Sequence, residues 1–151
     1  MARKIFSVIA GYLAMWVFMF IVLSILYKNL GADGSFEKGT FIVSGTWVMF
    51  SILISFIASV DGGWVCMLIS KSRNAALLLA GIVLVIGLIM SVPKLGEAKT
   101  AVTEPRIGSV SNMDAMNKAK EPDFVLILNP IISAIGIFLG SGIVKEHKEV
   151  G

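Results

Sequence analysis

Four long apolar stretches, separated by short polar ones, set the pattern of this chain. They run from Ile5 to Tyr27, Phe41 to Ile69, Ala75 to Val92 and Phe124 to Val144, which is 23, 29, 18 and 21 residues. Only one charge falls inside them, Asp61 in the second. A helix that crosses a hydrocarbon layer ~30 Å thick needs about 20 mostly apolar residues, because it rises ~1.5 Å per residue. In lipid the backbone must satisfy its own hydrogen bonds, so each run is predicted to be a helix. None shows the polar/apolar alternation of a membrane barrel strand. The pattern predicts one all-α integral membrane domain over residues 1–151, with four transmembrane helices in an antiparallel bundle.

The segments between the runs refine this. The first run follows Arg3-Lys4 as a signal peptide would, but its apolar core exceeds the usual 7–15 residues and no small-residue cleavage site follows Tyr27. It reads as a retained first helix. The Ser70–Asn74 turn is so short that the second and third helices are expected to be antiparallel neighbours. The loop from Pro93 to Asp123 is too small to bury a core of its own. Within it, Ser111 followed three residues later by Asp114 is a helix-start signature, and Met113, Met116 and Ala119 fall on one face. This predicts a short interfacial helix over about Asn112 to Lys120, lying on the membrane surface. A linker without fixed structure is the alternative reading. Pro93, Pro105 and Pro122 punctuate the loop.

Composition agrees with lipid as the medium. Hydrophobic residues make up 56% and charged residues 15%, against about 45–50% and 25% in soluble domains, and mean hydropathy is +0.87. The charges are unevenly shared. Met1–Lys4, Ser70–Asn74 and Lys145–Gly151 hold six Lys/Arg and two acids, whereas Lys28–Thr40 and Pro93–Asp123 hold seven of each. Density of basic residues in short segments places both termini and the Ser70–Asn74 turn in the cytoplasm. The net charge of +3 is thus an orientation signal, and no nucleic-acid partner is expected. Tyr27, Trp47 and Phe124 sit near the opposite ends as interfacial anchors. The single cysteine, Cys66, permits no internal disulfide.

Helices in lipid associate through small residues that let backbones approach. The second run carries Ser51, Ser55, Ser59 and Gly63 at four-residue spacing, and the fourth carries Gly136-Ile137-Phe138-Leu139-Gly140, a G-x-x-x-G. These stripes are expected to meet. Asp61 and Asn129 are the candidate intramembrane polar site. Asp61 has three readings: a proton or ion path at the midplane, a charge at the cytoplasmic interface at the end of an overlong span, or a bond to a serine, Asn129 or the Trp64 indole N–H. Asn129-Pro130 reads as a kink or packing feature, because proline leaves a carbonyl unpaired that a polar side chain can satisfy. His147 is the only histidine, and the sequence has no phosphate loop, H-E-x-x-H or G-x-S-x-G. No catalytic residue, cofactor or metal is expected, and the chain is not expected to be an enzyme.

Gly62-Gly63-Trp64 with Met67, the Ser70–Asn74 turn and Ala75 form one cluster of features. Met113, Met116 and Ala119-Lys120-Glu121-Pro122 form a second, and Phe124 to Asn129-Pro130-Ile131-Ile132 with Ile135-Gly136 and Gly140 a third. In these the chain resembles a loosely defined group of short bacterial four-helix inner-membrane proteins without assigned activity. The resemblance covers about the C-terminal two-thirds and implies an inner-membrane four-helix fold, with no catalytic or binding residue. The expectation is a non-enzymatic partner or accessory subunit in the lipid bilayer, either a homo-oligomer or bound to another membrane protein. The alternative is a small oligomeric transporter or channel using Asp61.

Overall fold

The computed structural model describes residues 2–100, 105–108 and 110–144; His147 and the segment Lys145–Gly151 of the orientation argument lie outside them. The described chain is helical. In order come α1 (Ala2–Ser35), α2 (Gly45–Ser70), α3 (Arg73–Ser91) with a 3-10 turn at Val92–Lys94, α4 (Glu97–Thr100), α5 (Asn112–Lys118) and α6 (Asp123–Ser141). Four helices, α1, α2, α3 with its following turn, and α6, are long and apolar enough to cross a membrane.

Two boundaries differ from the sequence reading by four residues or more, and the others by up to three. The helix that starts the chain does not stop at Tyr27 but continues to Ser35, interrupted at Gly31, whose φ of 65° and ψ of −179° put it in a region open essentially to glycine. The second span begins at Gly45 rather than Phe41, because Ser44 is extended and its Oγ accepts from the Trp47 N–H at 3.2 Å. Phe41 to Val43 belong instead to a cap over this end of the bundle. Phe36 and Val43 form an antiparallel bridge across a turn, and Ile42 bridges Lys120 in parallel. Hydropathy alone extended the run through these residues; they are apolar because they plug the cap.

The cap has its own core, in which the 93–123 loop takes part. Tyr27, Phe36, Phe41, Val43 and Ala115 are buried together, flanked by Trp47, Val110 and Ala119. The Tyr27 ring meets Phe36 and Trp47 edge-on, and its hydroxyl donates to the Val110 carbonyl at 2.7 Å. The short helix α5 lies within the predicted range and starts as its signature implied, with Ser111 Oγ accepting from the Asp114 N–H. Its Asn112 Nδ2 donates to Ser24 Oγ on α1 at 2.9 Å.

Packing centres on α2. It lies most extensively against α6 and α1, and α6 also supports α3. Only Lys71 and Ser72 separate α2 from α3, yet these two touch lightly along their length. The reason is that α2 has given its small-residue faces to other neighbours. Gly62 lies against Gly11 of α1, where a Cβ on Gly11 would come within 2.7 Å of the Gly62 carbonyl oxygen. Gly63, one residue on and about 100° round the helix, lies against α6, where a Cβ would overlap the Ile137 carbonyl. α1 and α2 run in opposite senses: Arg3 Nε donates to the Ile69 carbonyl at 2.6 Å at one end, while Tyr27 meets Trp47 at the other.

α3 rests on α6 through a proline. Pro130 has no N–H, so the Leu126 carbonyl four residues earlier lacks its helical donor. Ser91 Oγ lies 2.7 Å from that carbonyl and 2.8 Å from the Gly87 carbonyl in its own helix, and its one proton can serve either. Gly87 faces the proline ring, where a Cβ would come within 2.7 Å of Pro130 Cγ. The donor is thus a serine on another helix, not Asn129.

Candidate functional site

α1 and α3 meet near the basic end, where Gly11 sits beside Leu79, and elsewhere touch little. The gap between them is a partly open cavity of about 340 Å³, within the lower range of small-molecule sites. α1 lines it with Tyr12, Met15, Trp16 and Met19, and α3 with Val83, Ile86, Gly87 and Met90. Its polar groups come from the other elements: Ser55 of α2, Asn129 and Ser133 of α6, and Glu121 just before α6.

Two of these groups make no hydrogen bond among the described residues. Asn129 Oδ1 is buried and accepts no hydrogen bond among the described residues. A buried carbonyl left unpaired costs about 1–3 kcal/mol, so a donor brought into the cavity has something to gain. Glu121 also makes no hydrogen bond or ion pair within 4.0 Å among the described residues. Burial pushes its carboxyl above the usual 4.5, and the nearby Lys94 ammonium opposes this only in part. Glu121 lines a second, smaller cavity of about 90 Å³ beneath the cap as well, with Lys94, Glu97, Met116, Ala119 and Leu126. Its carboxyl therefore stands between the apolar gap and a polar recess.

The cap fixes Glu121 in place. Lys120, its neighbour, is bonded through its backbone to Phe41 at 2.9 Å and to Val43 at 3.1 Å, and its Nζ reaches Glu97 at 2.8 Å. On the other side Asp123 Oδ1 accepts from the Gly96 N–H at 2.7 Å and Oδ2 lies 3.6 Å from Lys99 Nζ.

The residues singled out in the sequence divide into three groups. Asn129 and Ser55 come together in the cavity, and the Ser55 hydroxyl also lies 4.0 Å from the Met19 sulfur. Ser59, Gly63, Gly136 and Gly140 lie between α2 and α6: a Cβ on Gly136 would come within 2.7 Å of Ser59 Cβ, and one on Gly140 would overlap the Val60 carbonyl. Ser51 is buried and donates within its own helix to the Val48 carbonyl at 3.0 Å. Asp61 stands apart. It is half-buried, about 14 Å along the axis from the Ser70 end of α2. It forms none of the bonds to serine, Asn129 or Trp64 considered above, and it does not line this cavity. Glu121 and Ser133 were not singled out as site residues. An acid immediately before Pro122 and an apolar run is the one local sign of Glu121, and it fits an ordinary helix start equally well.

Among the described residues no cluster of His, Cys, Asp or Glu could hold a metal ion. The described residues form a helical chain with four candidate membrane spans, a cap over one end and a side cavity between α1 and α3. No known family, curated protein or solved structure matches the chain.

Proposed function

We propose that this chain is a multi-pass protein of the inner membrane, inserted as four alternating spans with both termini in the cytoplasm. It works without catalysis, as a binding or accessory component that accepts a membrane-dissolved molecule between α1 and α3. The observation that carries this reading is the cavity itself. An apolar, aromatic-lined gap ends on a buried carbonyl oxygen, Asn129 Oδ1, that nothing described satisfies. Four helices of this length match the bilayer, and Arg3, Lys4, Lys71 and Arg73 gather at one end, as a cytoplasmic face requires. The alternative, an oligomeric transporter or channel using Asp61, gains no support from its surroundings, since no described group bonds that carboxylate.

Two measurements test the proposal. Reporter fusions at both ends should be active only on the cytoplasmic side; activity outside would reverse the orientation. Protein purified in mild detergent and analysed by native mass spectrometry should carry a bound small molecule that Asn129→Leu releases. Unliganded protein, or a ligand indifferent to Asn129→Leu, would remove the cavity as the working site.

A further inference from the structure

We propose that the cavity selects an elongated apolar cation, with its ammonium at Glu121 and a second donor group reaching Asn129; this rests on the reading of the cavity as a ligand site. The two polar points are eight residues apart: Glu121 lies two residues before α6, and Asn129 lies six residues, about 9 Å, into it from Asp123. Both can accept a hydrogen bond: a carboxyl that also borders the polar recess under the cap, and an amide carbonyl further along on α6. The rest of the wall is mostly apolar, with Met90 and Gly87 from α3 and Tyr12, Trp16 and Met19 from α1. A molecule complementary to this order has a charged amine, a flexible or flat apolar body, and a hydroxyl or amide N–H at its far end. A carboxylate- or phosphate-bearing lipid does not fit, because it would bring its negative charge against Glu121.

The same carboxyl makes the site sensitive to protons. Lys94, on the turn after α3, and Glu97, on α4, are the charged groups that share the recess with Glu121. Glu97 is engaged by Lys120, and Asp123 by Lys99 and the Gly96 N–H. From α1 the cavity receives one ionisable side chain, Tyr12. Burial holds the Glu121 proton more firmly than usual, so proton and ammonium compete for one carboxylate. Where the carboxyl carries its proton the cation must displace it, so affinity falls as the medium is acidified.

The test uses the full chain in mild detergent with Trp47→Phe and Trp64→Phe, which leaves Trp16 as the fluorescent reporter. The probes are an eight-carbon chain with an ammonium at one end and a hydroxyl at the other, and the eight-carbon diol of matching length. The amino alcohol should bind about tenfold more tightly than the diol at pH 8, as a charge-assisted contact requires. Glu121→Gln should abolish that preference, and Asn129→Leu should weaken both probes. Unmodified Glu121 gives an independent measurement: the amino alcohol should lose affinity towards pH 5 while the diol does not. Equal binding of the two probes, still weakened by Asn129→Leu, would overturn cation selection and leave the cavity reading standing. Binding of neither probe would overturn both.

Discussion

Adding one methyl group to Gly140 should separate helices that now touch backbone to backbone. A Cβ there would overlap the carbonyl of Val60, and the same holds for Gly63 against Ile137. The obstacle is main chain on a packed helix, which cannot swing aside as a side-chain end can. Gly→Ala within a helix ordinarily gains about 0.5–1 kcal/mol through backbone entropy. Against this, overpacking costs about 1–3 kcal/mol, at the upper end where backbone must move, and close Cα–H···O contacts worth about 0.5–1 kcal/mol each are lost as well. The net expectation for Gly140→Ala is a loss of about 3 kcal/mol. At ~2–4 °C per kcal/mol for a chain of this size, melting should fall by about 6–12 °C. Gly81 on α3 supplies the control. It is exposed, and a Cβ there would meet nothing within 4 Å, so Gly81→Ala should raise the melting temperature slightly. Thermal unfolding in one detergent, followed by circular dichroism, compares all three proteins. If Gly140→Ala and Gly81→Ala shift in the same direction, the α2–α6 contact described above is wrong.

Three further outcomes are expected. Ser91→Ala should cost about 1–2 kcal/mol by leaving the Leu126 carbonyl without a donor, and the cost should shrink in a Pro130→Ala background, where the restored N–H serves that carbonyl; equal costs in both backgrounds would exclude the link. Glu121 holds its proton more firmly folded than unfolded. Its contribution is therefore complete below the ordinary 4.5 and is lost as pH rises through the raised value. Glu121→Gln should then melt above the parent at pH 8 and level with it at pH 4, and the reverse order would contradict a buried carboxyl. Arg106 should matter more than its ionic partner. Its side chain is 5% exposed and that of Asp33 is 91% exposed, so the pair itself is worth about 0–1 kcal/mol. The guanidinium also bonds the Thr40 carbonyl and covers the Phe36 ring. Hydrogen exchange across 36–43 should quicken strongly in Arg106→Ala and barely in Asp33→Ala; equal effects would refute the ranking.

What could be read from the sequence follows the range of each interaction. The four long helices were legible because each is one contiguous apolar segment, and the Ser111 and Asp114 cap of α5 was legible because it too is local. The small-residue spacing on α2 and α6 named surfaces able to approach. It could not divide Gly62 from Gly63, which serve opposite neighbours, because adjacent residues acquire separate duties only in three dimensions. Phe41 was misassigned to a span since an apolar ring under a cap and one facing lipid have the same hydropathy. Asp61 drew notice as a lone charge in an apolar run. Glu121 did not, because its isolation depends on where α1, α3 and the cap leave room, and none of them is its sequence neighbour.

The light contact between α2 and α3 has a consequence for biogenesis. α1 and α2 can lock together as soon as both have been made, through Gly11 and Gly62. α3, emerging next, finds no comparable seat on either of them. Its berth against Pro130 and Leu126 arrives only with α6. A nascent chain arrested before α6 should thus hold a firm pair and one loose passenger, open to quality-control proteases until α6 closes the assembly.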